Sequence, residues 1–176
     1  MNIMHDINPK RITEDQFVVL IEIPQGSKKK YEIDKETGLL SLDRYLATSF
    51  RYPVNYGFIP LTHCEDNDPL DVFVLSQEPL DPMVLVNCRP LGVIRMIDNG
   101  ELDEKLIAVP ARDPLMDQYQ DIKDLPQSLV AEIEHFLLHY KDLDKKTVSI
   151  EKIEGKQEAK NAIKRSLVTY RDIIKK

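Results

Sequence analysis

The sequence predicts an α+β fold: a small closed β-barrel with helices packed on it. Three observations predict this. Short apolar runs recur along residues 17–109 with turn signals between them, the spacing of a sandwich or barrel. Two stretches with apolar residues at helical spacing lie in the C-terminal part. The order, a β-rich body followed by a helical end, is an α+β pattern.

Residues 1–15 are polar and irregular. Phe17-Val18-Val19-Leu20-Ile21-Glu22-Ile23 reads as a strand closed by Pro24. Gln25-Gly26-Ser27 makes a turn before Lys28-Lys29-Lys30. Tyr31–Asp34 is a strand, and Glu36-Thr37-Gly38 turns into a strand at Leu39–Leu42. Val54–Phe58, Val72–Leu75, Met83–Cys88, Gly92–Ile97 and Lys105–Val109 are further strands. A helix is expected from Pro126 to Tyr140, with proline suited to the first turn and Leu129, Ile133, Phe136, Leu137 and Tyr140 on one face. Thr147–Ile153 is a short strand. A last helix spans Lys156 to Ile174, with Ala159, Ile163, Leu167, Tyr170 and Ile174 along one side.

At 176 residues, one compact domain over 1–176 is expected. The 42% hydrophobic fraction is enough for a core, and the formal net charge is -6. That balance excludes the basic face of a general nucleic-acid or membrane-surface binder. No apolar run approaches a membrane span, and the N-terminus lacks a signal-peptide core. Two cysteines, Cys64 and Cys88, read as reduced thiols of a cytoplasmic protein rather than a disulfide framework.

The most informative segment is Asp66-Asn67-Asp68-Pro69-Leu70-Asp71. Pro69 argues against a helix here, and the apolar run Val72–Leu75 places the cluster at the mouth of a buried strand. Two like charges about 4 Å apart at an effective dielectric near 20 repel by roughly 4 kcal/mol, so carboxylates converging on one point call for a cation. Oxygen ligands favour Mg²⁺, Mn²⁺ or Ca²⁺. An EF-hand is excluded, since Leu70 and Asp71 stand where that loop needs Asp or Asn and Gly.

A second acidic stretch, Asp98-Asn99-Gly100-Glu101-Leu102-Asp103-Glu104-Lys105, links two strands. Asn-Gly is a strong hairpin signal. Beside the first cluster this loop offers the further carboxylates that two-metal phosphate chemistry needs. Phosphate is the natural anion for such a site, with Arg or Lys on its far oxygens; Lys30, Arg44, Lys105 and Lys141 are candidates. Tyr52 and Tyr56, in the dense aromatic group Phe50–Phe58, offer hydroxyl donors. His135 and His139 read as packing or subunit-contact residues, because Phe136 stands where a zincin needs Glu. A P-loop, a dinucleotide fingerprint and a Gly-x-Ser-x-Gly elbow are all missing from the sequence. Two other readings compete with this one. An OB-like module binding single-stranded nucleic acid suits the aromatics, but the acidic signature would repel a phosphate backbone. A non-catalytic divalent-ion protein leaves Lys30, Arg44 and Lys141 idle.

These residues together resemble the soluble inorganic pyrophosphatases of the magnesium-dependent, barrel-shaped class (family I). The resemblance runs in order through Ile21-Glu22-Ile23-Pro24, Lys30-Tyr31-Glu32, Asp43-Arg44, Tyr52–Gly57, the Asp66–Asp71 signature, Cys88–Gly92, Asp98…Lys105 and His135–Leu143. It implies an OB-like five-stranded barrel with flanking helices, hydrolysis of pyrophosphate to two orthophosphates, and a homohexamer. It implies several Mg²⁺ ions per site, with Mn²⁺ or Zn²⁺ as substitutes and Ca²⁺ inhibitory. It assigns Asp66, Asp71 and Asp103 to the tightest metal, with Asp71 also bridging to a second. Asp98 and Asp103 would help hold an ion that arrives with substrate, and Glu22 and Glu32 would reach the ions partly through water. Asp68 would be the general base; Lys30, Arg44, Tyr56, Lys105, Tyr140 and Lys141 would bind the two phosphoryl groups.

Overall fold

The apolar run at residues 17–23 forms strand β1 (Phe17–Ile23), in which every residue is buried. A strand covered on both faces reads as a continuous β-branched run rather than an alternation. In this computed structural model, which describes residues 2–174, seven strands and two helices follow. They are β2 (Lys29–Ile33), β3 (Leu40–Tyr45), β4 (Asn55–Phe58), β5 (Asp71–Val74), β6 (Leu85–Asp98), β7 (Glu101–Pro110), α1 (Gln127–His139), β8 (Val148–Gly155) and α2 (Lys156–Ile174).

Five strands close a ring in the order β1-β4-β5-β7-β6, with β6 returning to pair with β1. This is the OB-like barrel. All its pairings are antiparallel except β5–β7. Closure removes the open edges that would invite aggregation. Strand β8 extends the sheet beyond the ring on β6, and β2–β3 form a separate hairpin.

Strand β6 pairs with two further strands besides β7. Leu85–Cys88 pair with β1, while Gly92–Asp98 pair with β8. The sequence predicts two strands here, separated at Pro90. The structure joins them, because a register shift between Pro90 and Gly92 accommodates the missing proline N–H. Gly57 lets β4 lie close against β1: a β-carbon there would stand 1.9 Å from the Leu20 carbonyl oxygen.

Successive strand residues point to opposite faces. Val72, Val93 and Leu106 therefore join the apolar cluster of Ala159, Ala162 and Ile163 on α2. Their neighbours Phe73, Ile94 and Ile107 join Ile133, Phe136 and Leu137 on α1. Pro126 caps α1 rather than opening its first turn, and Tyr140 follows as its C-cap. Asp121 accepts from the Lys156 N–H at 3.0 Å, satisfying one of the free donors at the start of α2. Leu20, Ile33 and Phe58 pack with Met4 and Leu40, tying the β2–β3 hairpin to the ring. Among the described residues, no helix is long and apolar enough to cross a membrane.

Candidate active site

The Asp66–Asp71 signature forms a tight turn ahead of β5. Asn67 takes a left-handed conformation, φ 63°, as asparagine does more readily than most residues. The Cys64 N–H donates to the Asp68 carbonyl at 2.8 Å, and the Asp68 N–H to Asp66 Oδ1 at 3.1 Å. Thr62 Oγ1 accepts from the Leu70 N–H at 2.8 Å. The turn thus holds Asp66 and Asp68 at its rim and delivers Asp71 as the first residue of β5.

Parallel pairing then sets Asp71 beside Lys105 of β7. Lys105 Nζ lies 2.6 Å from Asp71 Oδ2 and 2.9 Å from Asp103 Oδ2, and it donates to the Tyr56 hydroxyl at 3.0 Å. Along β7 the alternation Glu101, Asp103, Lys105 puts these side chains on one face. The Asn99–Gly100 turn pairs Asp98 with Glu101, so Asp98 joins that face. At the end of α1, Lys141 reaches Asp98. Glu22 of β1 accepts from the Ile33 N–H at 2.9 Å, while Lys30 and Glu32, two apart on β2, face each other.

These side chains line one cavity of about 440 Å³. Glu22, Lys30, Glu32, Tyr56, Asp66, Asp68, Asp71, Asp98, Asp103, Lys105, Tyr140 and Lys141 all contribute to its wall. Arg44 is not brought there. Its guanidinium is directed to Asp43 at 3.2 Å and Asp144 at 3.9 Å. Tyr52 is buried against Tyr56 and Phe136 and is also absent from the lining. His135 packs edge-on to Phe50, and His139 meets Asp142 at 2.9 Å. Glu101, Lys35 and Met4 line the cavity without having been singled out from the sequence. The alternation with Asp103 and Lys105 could have found Glu101. Lys35 lies on a turn and Met4 in an irregular segment, and neither carries a periodic signal.

The cavity strains its own carboxylates. Burial, with Asp71 nearby, pushes Glu22 up to about 8. Burial, together with Asp103, Asp71 and Asp68, pushes Asp66 up to about 6. Burial also raises Asp71, with Asp103 adding to it against the pull of Lys105. Burial works against the Lys105 charge, but Asp71, Tyr56 and Asp103 outweigh it and hold that ammonium well above its usual range.

Two features fit a hard divalent cation. The acidic donors are all oxygens, and Asp98 Oδ1 is buried with no hydrogen-bond partner among the described residues. Among those residues, no three His, Cys, Asp or Glu side chains are already arranged around one ion position. Lys105 instead supplies the positive charge between Asp71 and Asp103.

Comparison with known proteins agrees with this arrangement. A family model described as inorganic pyrophosphatase matches residues 19–171. The chain is 48% identical over 168 residues to soluble inorganic pyrophosphatase 2 of Chlamydomonas reinhardtii, covering 96% of this chain and 88% of that one. It is 43% identical over 169 residues to an inorganic pyrophosphatase of Aquifex pyrophilus, covering 94% and 96%. The crystal structure of inorganic pyrophosphatase from Thermus thermophilus matches with a TM-score of 0.92 at 37% identity, covering 97% of this chain and 99% of that one. A ring of five strands, an acidic signature at its mouth and these likenesses over nearly the whole length lead to one assignment: the chain belongs to the inorganic pyrophosphatase family.

Proposed function

We propose that this chain hydrolyses inorganic pyrophosphate to two orthophosphates in a Mg²⁺-dependent reaction in the cavity between β2, β5 and β7. One observation carries the reading. Carboxylates from β1, β2, the Asp66–Asp71 turn and the β6–β7 hairpin converge on the same cavity as Lys30, Lys105 and Lys141. Neither a simple anion site nor a simple cation site needs both sets. A metal-neutralised phosphoanhydride does.

Asp66, Asp71 and Asp103 would hold the tightest ion, with Asp71 shared with a second. Asp98 and Asp103 would hold one that enters with substrate, and Glu22 and Glu32 would reach ions partly through water. Mg²⁺, when bound, would lower the pKa of water and screen the substrate's charge. The oxygen donors also suit Mn²⁺ as a substitute, and the family resemblance adds Zn²⁺.

The protein's own groups carry the rest. Asp68, at the cavity rim, takes the proton of the attacking water on a carboxylate oxygen. Lys105, Lys141 and Lys30 bind phosphoryl oxygens and stabilise the charge that builds on the leaving phosphate. Tyr56 and Tyr140 orient the substrate through their hydroxyls. Arg44 joins them by swinging from Asp43. Little covalent work falls to the protein, so positioning and electrostatics account for the rate.

Three exposed apolar neighbours, Met83, Val84 and Leu85, support assembly through subunit contacts, for which we propose a homohexamer. The free cysteines Cys64 and Cys88 support a cytoplasmic setting.

Phosphate release from pyrophosphate by the purified chain tests the activity. Release is expected with Mg²⁺, with little in its absence or with Ca²⁺, whose looser coordination suits in-line attack poorly. No release with Mg²⁺ would refute it.

A further inference from the structure

The lysines of the cavity fall into two kinds. Lys30, Lys105 and Lys141 have side chains 17%, 6% and 11% exposed, each pressed against carboxylates in the walls. Lys35 is 62% exposed. It stands on the turn joining β2 to β3 and reaches across the cavity mouth, with its Nζ 2.5 Å from Asp68 Oδ1 and 3.2 Å from the Asn67 carbonyl oxygen. Among the described residues it is therefore the one cavity cation that touches the proposed base.

Its position is set from outside the barrel. Asn2 Nδ2 donates to the Lys35 carbonyl at 2.9 Å. Asn2 is in turn held by its own segment: its carbonyl accepts from the Asp6 N–H at 2.8 Å, and its side-chain oxygen from the Met4 N–H at 3.1 Å. His5 closes the segment onto α2 through the Tyr170 hydroxyl at 2.7 Å. The N-terminal residues thus clasp the backbone of a turn whose lysine is otherwise free to swing.

An ion pair this exposed is worth about 0–1 kcal/mol. A densely anionic phosphoanhydride entering the same mouth competes for the ammonium on favourable terms, since lysine binds phosphate as a mobile point charge. At Asp68 Oδ1 an attacking water has to compete with the Lys35 ammonium for the same carboxylate oxygen. Both conditions are met if one exchange serves both ends.

We propose that Lys35 is a substrate-operated latch: its ammonium rests on Asp68 in the empty protein, passes to a phosphoryl oxygen of incoming pyrophosphate, and so frees Asp68, with Asn2 setting its reach. The proposal rests on the pyrophosphate reading above. It makes Lys35 a substrate-contacting residue and Asn2 a positioning residue.

Steady-state hydrolysis with Mg²⁺ tests it on the wild type, Lys35→Ala, Lys35→Arg and Asn2→Ala, alongside each variant's thermal midpoint. Lys35→Ala should raise KM about tenfold, equivalent to about 1.4 kcal/mol, with kcat within about threefold and the midpoint unchanged. Lys35→Arg should restore most of the affinity, because it keeps the charge, and Asn2→Ala should raise KM by a smaller factor. Binding of the non-hydrolysable P–C–P analogue methylene bisphosphonate, followed by calorimetry, should weaken in parallel. An unchanged KM in Lys35→Ala overturns the latch, as does a fall in kcat alone, which would mean that Lys35 only orients Asp68. A KM rise accompanied by a lower midpoint, or one that Lys35→Arg does not relieve, also overturns it. Absence of wild-type turnover refutes the pyrophosphate reading itself, whereas wild-type turnover with an indifferent Lys35→Ala refutes the latch alone.

Discussion

Lys105 Nζ stands 2.6 Å from Asp71 Oδ2, although the two residues lie 34 positions apart in the chain. Parallel pairing of β5 with β7 makes them neighbours, and Asp103, two residues before Lys105, adds a second carboxylate at 2.9 Å. The triad is almost closed to solvent, with side chains 6%, 18% and 12% exposed for Lys105, Asp71 and Asp103. Lys105 offsets part of the charge of the two carboxylates, and little water reaches any of the three.

Removal of that cation should therefore be costly. Lys105→Met leaves two buried carboxylates unpaired, and breaking such a pair costs about 3–5 kcal/mol. Urea denaturation in a chelator should show a loss of that order, and Mg²⁺ should recover part of it by supplying the missing charge. A variant as stable as the wild type in the chelator would contradict this account of the triad.

Asp68 is at the rim and half exposed, so its loss should leave the fold intact. Asp68→Asn is expected to lower kcat by about 10²–10⁴-fold, the usual worth of a general base, while Mg²⁺ affinity and the denaturation midpoint stay near wild type. Near-normal turnover would remove Asp68 from that role.

Asp71 and Glu32 should differ as metal donors. Asp71 is buried at the head of β5 beside Asp103, whereas Glu32 is 56% exposed and paired with Lys30. Asp71→Ala should weaken Mg²⁺ binding more than Glu32→Ala in calorimetric titration. Equal losses would place the two on the same footing.

The raised carboxylates make a prediction about pH. Glu22 lies near 8 and Asp66 near 6 in the folded chain, against ordinary values of 4.5 and 3.8. Between the unfolded and folded values the native state binds more protons, so stability must fall as pH rises. The stabilisation is fully present below about pH 4, where both states are protonated, and is lost as pH climbs through 6 and then 8. Asp43 and Asp121 are shifted the other way, Asp43 by Lys30 and Asp121 by backbone N–H groups, each against the upward push of its own burial. Their effect falls below about pH 4, outside this window. In a chelator the urea midpoint should drop from pH 5 to pH 8, and Mg²⁺ should flatten the slope by stabilising the ionised forms. A rising midpoint in the chelator would show that the carboxylates are not strained as described.

Much of this protein is legible along the chain. The strand at residues 17–23, the Asn99–Gly100 hairpin and the helix at residues 156–174 appear where the apolar periods and turn residues place them. Boundaries drift where tertiary pairing overrules local signals. The break expected at Pro90 disappears because β1 and β8 both need the same strand, and a register shift absorbs the proline. The acidic donors are legible because their density has no packing rationale. Lys35 is not, since a single lysine on a turn looks like any solvated cation until Asp68 is seen beside it.

By itself, then, the amino-acid order determined the donor types, the period-2 alternation that puts Glu101, Asp103 and Lys105 on one face, and the turn that presents Asp66 and Asp68. Those are consequences of local geometry, decided within a few residues. Only the tertiary structure decided which of them meet. Closure of the five-strand ring brings β5 against β7, and with it Asp71 against Lys105. The separate β2–β3 hairpin directs Arg44 to Asp43 and Asp144 while carrying Lys35 over the cavity. Such contacts depend on pairings between distant segments, and hydrophobic closure of the barrel sets them.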